Sequence, residues 1–433
     1  MKLAILLIVV LLGGSSLLAQ GASRAEGAKP AKETPAVSEG GNEFAFELYA
    51  KLAAGEKGNL FFSPSSVHTA LAMPYVGAGG TTAQQMAKTL HYALPADKLA
   101  PAFGELLQIL NTPRLTYDKK PAYELVVSNA LWPQKGYPFK AAYMELVKKD
   151  FGATLEEVDY VKAPDAARKT VNDAVAKQTK DKIQDLVPRS AITPYTRLIL
   201  TNAIYFKSNW KDKFRKEATK DEPFHLSGGK TADVPMMHRQ GHYGYFAEDD
   251  LQVLVMPYMQ RDLSMFVLLP TKADGLGDLE KKLSAAQVAK WVAVASETTA
   301  LVQVSFPRFK FAGAFSMGKT LADMGMPDAM SLKANFTGMT ESKEPFFISD
   351  VIHKSFVAVD EEGTEAAAAT AVMMAGGAMP RPEQPKVFKA DHPFVFLIRH
   401  NGTGAILFAG RLAAPEGGAA PKAAPAGAVA PSK

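Results

Sequence analysis

DEEGTEAAAATAVMMAGGAMPRPEQP, residues 360–385, separates two stretches that read as strands, VIHKSFVAVD before it and VFKADHPFVFLIRH after it. A connection this long inside a compact domain is usually functional or disordered. Its Ala content admits an exposed helix, and its polarity admits a flexible linker. The alternation favours a third reading, a strand that has yet to find its partners. Thr364, Ala366, Ala368, Thr370, Val372 and Met374 would share one face, uncharged and mostly small, which suits sliding over a packed core. Gly363 supplies a hinge of low torsional cost just ahead of them. Gly376, Gly377, Pro380, Pro382 and Pro385 then resist both helix and central strand, so the second half is expected to stay exposed and open to proteases.

Outward from this segment, the composition is that of a globular protein, with 47% hydrophobic and 21% charged residues. The net charge of +5, from 49 basic and 44 acidic residues over 433, carries no signature of nucleic-acid binding. Lys2 followed by the apolar run Leu3–Leu12 and the small residues Ala19, Gly21 and Ala22 reads as an export signal over 1–22, too short to span a bilayer. A secreted or periplasmic protein is expected, free of the membrane once the signal is removed. The absence of cysteine excludes disulfides, thiolate metal sites and cysteine catalysis, so stability must come from a large core.

Residues 23–40 read as a flexible linker and 413–433 as a disordered Ala/Pro-rich tail, leaving a single folded domain over 41–412. Its first half is mainly helical, with segments near 82–91, 99–110, 138–149 and 165–178 and strands at 123–132 and 197–206. Ser63-Pro64 has the chemistry of a helix start. From about residue 230 the chain is mostly β, and Asn401-Gly402 is expected to turn the last hairpin. Helices grouped first and strands later argue an α+β fold.

Catalytic machinery is missing. There is no G-x-S-x-G, no H-E-x-x-H and no P-loop. Ser63 and Ser66 sit at an apolar helix start, where capping explains them better than nucleophilic chemistry. His238 and His242 form the closest histidine pair, without a third ligand beside them. His353 alternates with apolar neighbours, as a hydrogen-bonded structural histidine would. Asp249-Asp250 and Glu361-Glu362 read as solvated acidic pairs. Neither a metal, a cofactor nor an enzymatic activity is expected.

Over roughly 41–412 the chain resembles the serpins, the serine protease inhibitors. The resemblance lies in NLFFSPSSVHTALAMPYVGAGGTTAQQM (59–86), VNDAVAKQTKDKIQDLVP (171–188), LTNAIYFKSNWKDKF (200–214), VPMMHRQ, VSFPRFKF, GMPDAMS…ANFTGMT, and DEEGTEAAAAT followed by HPFVFLIRH, all in family order. It implies one α+β domain of three β-sheets, about nine helices and an exposed reactive-centre loop, here about 361–388. It also implies a metastable inhibitor that acts as a suicide substrate. The target protease is acylated by the loop, which then inserts as a strand into the central sheet and stalls the enzyme. A non-inhibitory binding or carrier member of the family is the alternative.

By position the resemblance assigns the hinge to Glu361, Gly363, Thr364, Ala366, Ala368 and Thr370. It assigns Ser63, Ser66, Asn202 and His353 to the shutter, a polar cluster under the strands that part. Trp210, Arg308 and Glu361 fall in the breach, where insertion begins. Counting from Glu361 places the reactive bond at Gly377–Ala378, while counting back from PFVF lands nearer Pro382; Met374 and Met379 are alternatives. A small residue at the bond suits an elastase-like or subtilisin-like target; a chymotrypsin-like protease is the other expected partner, and a monomer is expected.

Overall fold

The computed structural model describes residues 32–364 and 384–415. The signal, the tail from 416 onward and residues 365–383, which include Ala366, Ala368, Thr370, Met374, Gly377, Ala378 and Met379, lie outside the described residues. The helices are α1 (Thr34–Gly55), α2 (Pro64–Tyr75), α3 (Gly80–Thr89), α4 (Ala96–Leu110), α5 (Ala141–Phe151), α6 (Pro164–Gln178), α7 (Leu276–Lys282), α8 (Ala285–Glu297) and α9 (Gly318–Met324). The strands of the first half are β1 (Leu60–Phe62), β2 (Tyr123–Pro133), β3 (Thr154–Leu155), β4 (Leu198–Asn209) and β5 (Lys220–His225). Next come β6 (Thr231–Glu248), β7 (Leu251–Pro257), β8 (Leu263–Pro270), β9 (Thr299–Pro307) and β10 (Phe309–Ser316). Last are β11 (Ile352–Val359), β12 (Gly363–Thr364), β13 (Lys386–Lys389), β14 (Phe394–His400) and β15 (Ile406–Leu412).

Hydrogen bonding joins these strands into two networks. The main sheet runs β10-β11-β12-β4-β2-β3, and the second runs β1-β15-β14-β8-β7-β6-β9-β13, with β5 on β6. The second network holds two sheets in one, because β6 passes through both. Its first part pairs with β5 and β9, and its last five residues pair with β7. The α+β architecture thus has three sheet bodies, two of them sharing a strand.

Local chemistry accounts for the elements that position the site. Ser63 caps α2 by accepting from the Ser66 backbone N–H at 3.2 Å, with Pro64 at the first helical position. β4 is buried almost throughout because both its faces are covered. Leu198, Leu200, Ile204 and Phe206 point into the main core. Ile199 and Ala203 point the other way, into a second core under α6 with Trp132, Tyr160, Val171 and Val187. In the main core, Phe61 stacks on Phe408 at 5.2 Å and on Phe396 at 5.8 Å.

Three boundaries differ from the sequence reading. Residues 34–40, expected in a linker, form the first turns of α1, because Val37, Ser38 and Gly40 are buried against the domain. At the other end, the Ala413 and Ala414 backbone N–H groups donate to Asn59 Oδ1, so the first residues of the expected tail are anchored. The β14–β15 turn is longer than two residues. Asn401 is tied to Arg261 and Ser264 by its side chain, and the left-handed position falls at Gly404 (φ 75°) rather than Gly402.

Gly313 on β10 marks the tightest approach in this core: a Cβ there would lie 1.9 Å from the Phe61 carbonyl oxygen. Gly313→Ala is expected to destabilise the fold by about 1–3 kcal/mol, the usual cost of overpacking against backbone, measurable as a lower midpoint in urea unfolding.

Candidate functional site

The site is the seam between two parallel strands. β4 and β11 pair directly over four positions, from Ile352↔Thr201 to Ser355↔Ile204. Extending that register would set Val359 against Ser208. Thr364 stands there instead, paired with Ser208 on one side and Val359 on the other, while Gly363 pairs with Asn209. β12 is a two-residue wedge driven into the end of the seam. Only glycine fits its first position, since a Cβ on Gly363 would lie 2.1 Å from the Ser208 carbonyl oxygen. The Thr364 side chain faces the core and meets the Tyr258 hydroxyl at 2.7 Å.

The turn that feeds the wedge is held by charge. The Asp360 carboxylate accepts from the Glu362 and Gly363 backbone N–H groups at 2.9 and 3.2 Å. Glu361 is buried, with 2% of its surface exposed, which corrects its reading as a solvated acid. Its Oε1 accepts from the Thr219 hydroxyl at 2.6 Å and from the Arg308 guanidinium. Burial alone would raise the Glu361 carboxyl; the Thr219 and Arg308 donors outweigh it and hold it below its ordinary value. Glu362 is also paired, with Lys213 at 2.5 Å and Lys216 at 3.8 Å. Trp210 lies beneath the turn, donating from Nε1 to the Asp360 carbonyl at 2.9 Å and stacking on Tyr258 at 4.6 Å. The structure therefore brings Trp210, Arg308 and Glu361 to one place.

It also brings Ser63, Ser66, Asn202 and His353 together, beneath the closed part of the seam. His353 Nε2 accepts from the Ser63 backbone N–H at 3.0 Å, so the ring proton is on Nδ1, 2.8 Å from Asn202 Oδ1. The Asn202 amide donates to the Ser66 carbonyl and hydroxyl and to Asn129 Oδ1. Ser63 Oγ donates to the Leu407 carbonyl at 2.6 Å. Every member is neutral and has a partner. No carboxylate touches the cluster, and burial pushes His353 down to about 3. Ser63 Oγ caps α2 and donates to a carbonyl while Ser66 Oγ accepts from the Asn202 amide, an arrangement that joins α2, β4, β11 and β15 and activates no nucleophile.

His238 and His242 lie four residues apart on β6, roughly 13 Å along a strand, too far for a shared ion. His238 meets Glu222 at 2.9 Å and Ser305 at 3.0 Å instead. Among the described residues no group of three or more His, Asp or Glu is placed to hold a metal ion. No described helix is long and apolar enough to cross a membrane.

A family model described as serpin (serine protease inhibitor) matches residues 39–415. The chain belongs to the serpin family. An uncharacterised serpin-like protein of Thermococcus kodakarensis is 42% identical over 390 residues, 90% of this chain and 88% of the relative. Human leukocyte elastase inhibitor is 39% identical over 387 residues, 88% of this chain and 99% of the relative. Among solved structures, human thyroxine-binding globulin shares the fold with a TM-score of 0.78 and 29% identity, over 88% of this chain and 99% of that one. The similar proteins thus include both a named elastase inhibitor and a thyroxine-binding globulin.

The serpin seam uses residues that the sequence reading passed over. Tyr258, Thr219 and Lys213 carry no local pattern. Asn129 does: like Asn202 it interrupts an apolar strand, and the two face each other across β2 and β4.

Acid should weaken this serpin. His353 stays neutral in the fold down to about pH 3 and His68, also buried, down to about pH 4, whereas the unfolded chain protonates both near 6.5. Between those values the unfolded chain binds the extra protons, so stability is full above pH 6.5 and falls as pH drops through the window. Urea midpoints measured from pH 7.5 to 4 should fall steadily, and His353→Gln should flatten part of that fall.

Proposed function

We propose that this serpin inhibits serine-type endopeptidases as a suicide substrate, by inserting its cleaved reactive-centre loop between β4 and β11. The observation that carries the reading is the wedge register. Thr364 already faces the core between Ser208 and Val359. Continuing antiparallel to both strands, residues 366, 368 and 370 would take the core face after it. Ala366 would come opposite Phe206 and Val357, Ala368 opposite Ile204 and Ser355, and Thr370 opposite Asn202 and His353. Small residues therefore meet the crowded core positions, and a hydroxyl meets the neutral polar cluster, which has donors and acceptors to offer it. Glu365, on the outer face, would meet Lys207.

The chemistry belongs to the protease. Its serine attacks the Gly377 carbonyl, the bond to Ala378 breaks, and Ala378 leaves as a new amino terminus. Gly377 lies thirteen positions beyond Thr364, about 43 Å of strand. Insertion to that depth drags the acylated enzyme along the sheet and distorts its oxyanion hole before water can deacylate it. The fragment after the cut carries β13, β14 and β15 and stays bound within the second network. Export through residues 1–22 would place the inhibitor among extracellular or periplasmic proteases, and the small residues at the bond suit elastase-like or subtilisin-like targets.

The carrier alternative has one observation in its favour, a cavity of about 400 Å³ between α1, α8 and β14. Small-molecule binding there without any protease trapping would favour it.

Mixing the mature protein with elastase, chymotrypsin, subtilisin and trypsin should give a band on denaturing gels that joins inhibitor and enzyme. Cleavage of the loop with no such band for any of them counts against inhibition. Mass spectrometry of the denatured C-terminal fragment should begin at Ala378. Thr364→Arg puts a charge on the core face and should convert the inhibitor into a substrate, with the joined band lost and the cut chain retained.

A further inference from the structure

Strand β6 changes partners at Gly244. That residue is the last of β6 to pair with β9, through Thr299, and the first to pair with β7, through Val255. Where pairing passes from one strand to the other the two sheet bodies part, and a cavity of about 450 Å³ lies there. The crossing, the end of α8 and the ends of β7, β8 and β14 enclose it. A Cβ on Gly244 would lie 2.5 Å from the Ala295 carbonyl oxygen, so α8 sits directly against the crossing. The volume falls within the roughly 300–1,000 Å³ that small-molecule sites occupy.

The lining carries cations and no acid. Lys211, Arg261 and Arg399 line the cavity together with the apolar Val255, Pro257 and Phe266, and no Asp or Glu does. Among the described residues no carboxylate pairs with Arg261 or Arg399, and Lys211 has only its neighbour Asp212, at 3.4 Å. Arg399 is half-buried, and burial lowers its guanidinium from the ordinary value. A cation withdrawn from water is costly unless a counter-charge meets it.

The β7–β8 turn puts Arg261 in place. Gln260 and Arg261 both have φ of 60°, a left-handed conformation that is strained for residues other than glycine. Asn401 holds the turn there, its side-chain amide donating to the Arg261 carbonyl and to Ser264 Oγ, each at 2.9 Å. The acid of the same turn, Asp262, is taken up by Arg114 at 3.0 Å and does not line the cavity. The neighbouring cavity against α1 is of opposite character. It shares Arg399 but is lined by Glu39, Glu43 and Glu297, which repel an anion.

We propose that the cavity at the β6 crossing binds a small organic phosphate, with the phosphate on Lys211, Arg261 and Arg399 and the apolar body on Val255, Pro257 and Phe266. A phosphate monoester carries a charge of about −1.5 to −2 at neutral pH, which three cations can hold, and guanidinium groups match its oxygens in pairs. The apolar residues favour an ester over free phosphate, because they gain by covering a carbon skeleton. The site lies apart from the reactive-centre loop, the wedge and the neutral cluster, and the inference does not rest on the insertion reading.

Equilibrium dialysis of the mature protein against 1-naphthyl phosphate should show one bound molecule per chain. Inorganic phosphate and 1-naphthol, which carry the two halves separately, should each bind at least about tenfold more weakly. Arg261→Gln and Lys211→Gln, both at exposed positions, should keep the wild-type urea midpoint and each weaken binding of the ester about tenfold, the loss of one charge-assisted hydrogen bond. Ala293→Trp, which fills the neighbouring cavity, should leave the affinity unchanged. Unchanged affinity in both Arg261→Gln and Lys211→Gln overturns the site, and binding lost in Ala293→Trp alone moves the anion to the cavity against α1. Inorganic phosphate bound as tightly as the ester overturns the assigned ligand class. No binding of the ester by the wild-type protein overturns the proposal outright.

Discussion

Direct pairing between β4 and β11 extends over only four residue positions in the middle of the main sheet. Parallel pairing is slanted and slightly weaker per residue than antiparallel pairing, and beyond those four positions the two strands are held by other parts of the chain. The wedge β12 fills one end, the neutral cluster around His353 lies below, and the segment after α6 lies above. Each contact on the seam has to be strong enough to keep the sheet closed and few enough to be released one at a time. The rest of the fold serves that requirement. Within the main sheet, β4 and β11 pair over four positions where β10 and β11 pair over eight and β2 and β4 over eleven, so separation at the seam breaks the shortest of these three ladders.

The two ends of the seam use different chemistry. At the entrance the side chains are charged: Glu361 with Arg308, Glu362 with Lys213 and Lys216, and Asp360 on backbone N–H groups. The cations Arg308 and Lys216 keep much of their side chains in water, which weakens their hold although the Glu361 carboxylate itself is buried. Under the closed part the groups are neutral and fully buried. A charge there would be costly without a partner, and a neutral hydrogen-bond network can exchange one hydroxyl for another as a strand passes. The depressed His353 follows from the same arrangement: no counter-charge reaches it, so the ring stays neutral.

Much of the site is legible in the sequence. Ser63-Pro64 announces a capped helix, the helical spacings hold to within a few residues, and the uncharged alternation after Gly363 announces a strand that could be buried on one face. These features are local, since a cap, a period or a face is set by neighbours along the chain. Ordered resemblance then places Ser63, Ser66, Asn202 and His353 in a common neighbourhood. Where local pattern misleads, the partner is far along the chain. Glu361 looks solvated because Glu361-Glu362 resembles any acidic surface pair, and Thr219, which buries it, lies 142 residues away. Residues 34–40 look like a linker because small residues carry little hydrophobic signal, yet Gly40 is small because the His91 backbone passes within 2.3 Å of where its Cβ would be.

The sequence by itself determined the α+β class, the family, and which residues of the loop are small enough to enter a core. Those are properties of composition, period and order, and no distant contact is needed to read them. The tertiary structure alone decided that the seam already holds Gly363 and Thr364, that Tyr258 receives the Thr364 hydroxyl from 106 residues away, and that Lys354 fastens to carbonyls about 170 residues earlier. Backbone carbonyls carry no residue identity, and a single tyrosine or lysine has no pattern to distinguish it. Only folding brings such groups within hydrogen-bond distance.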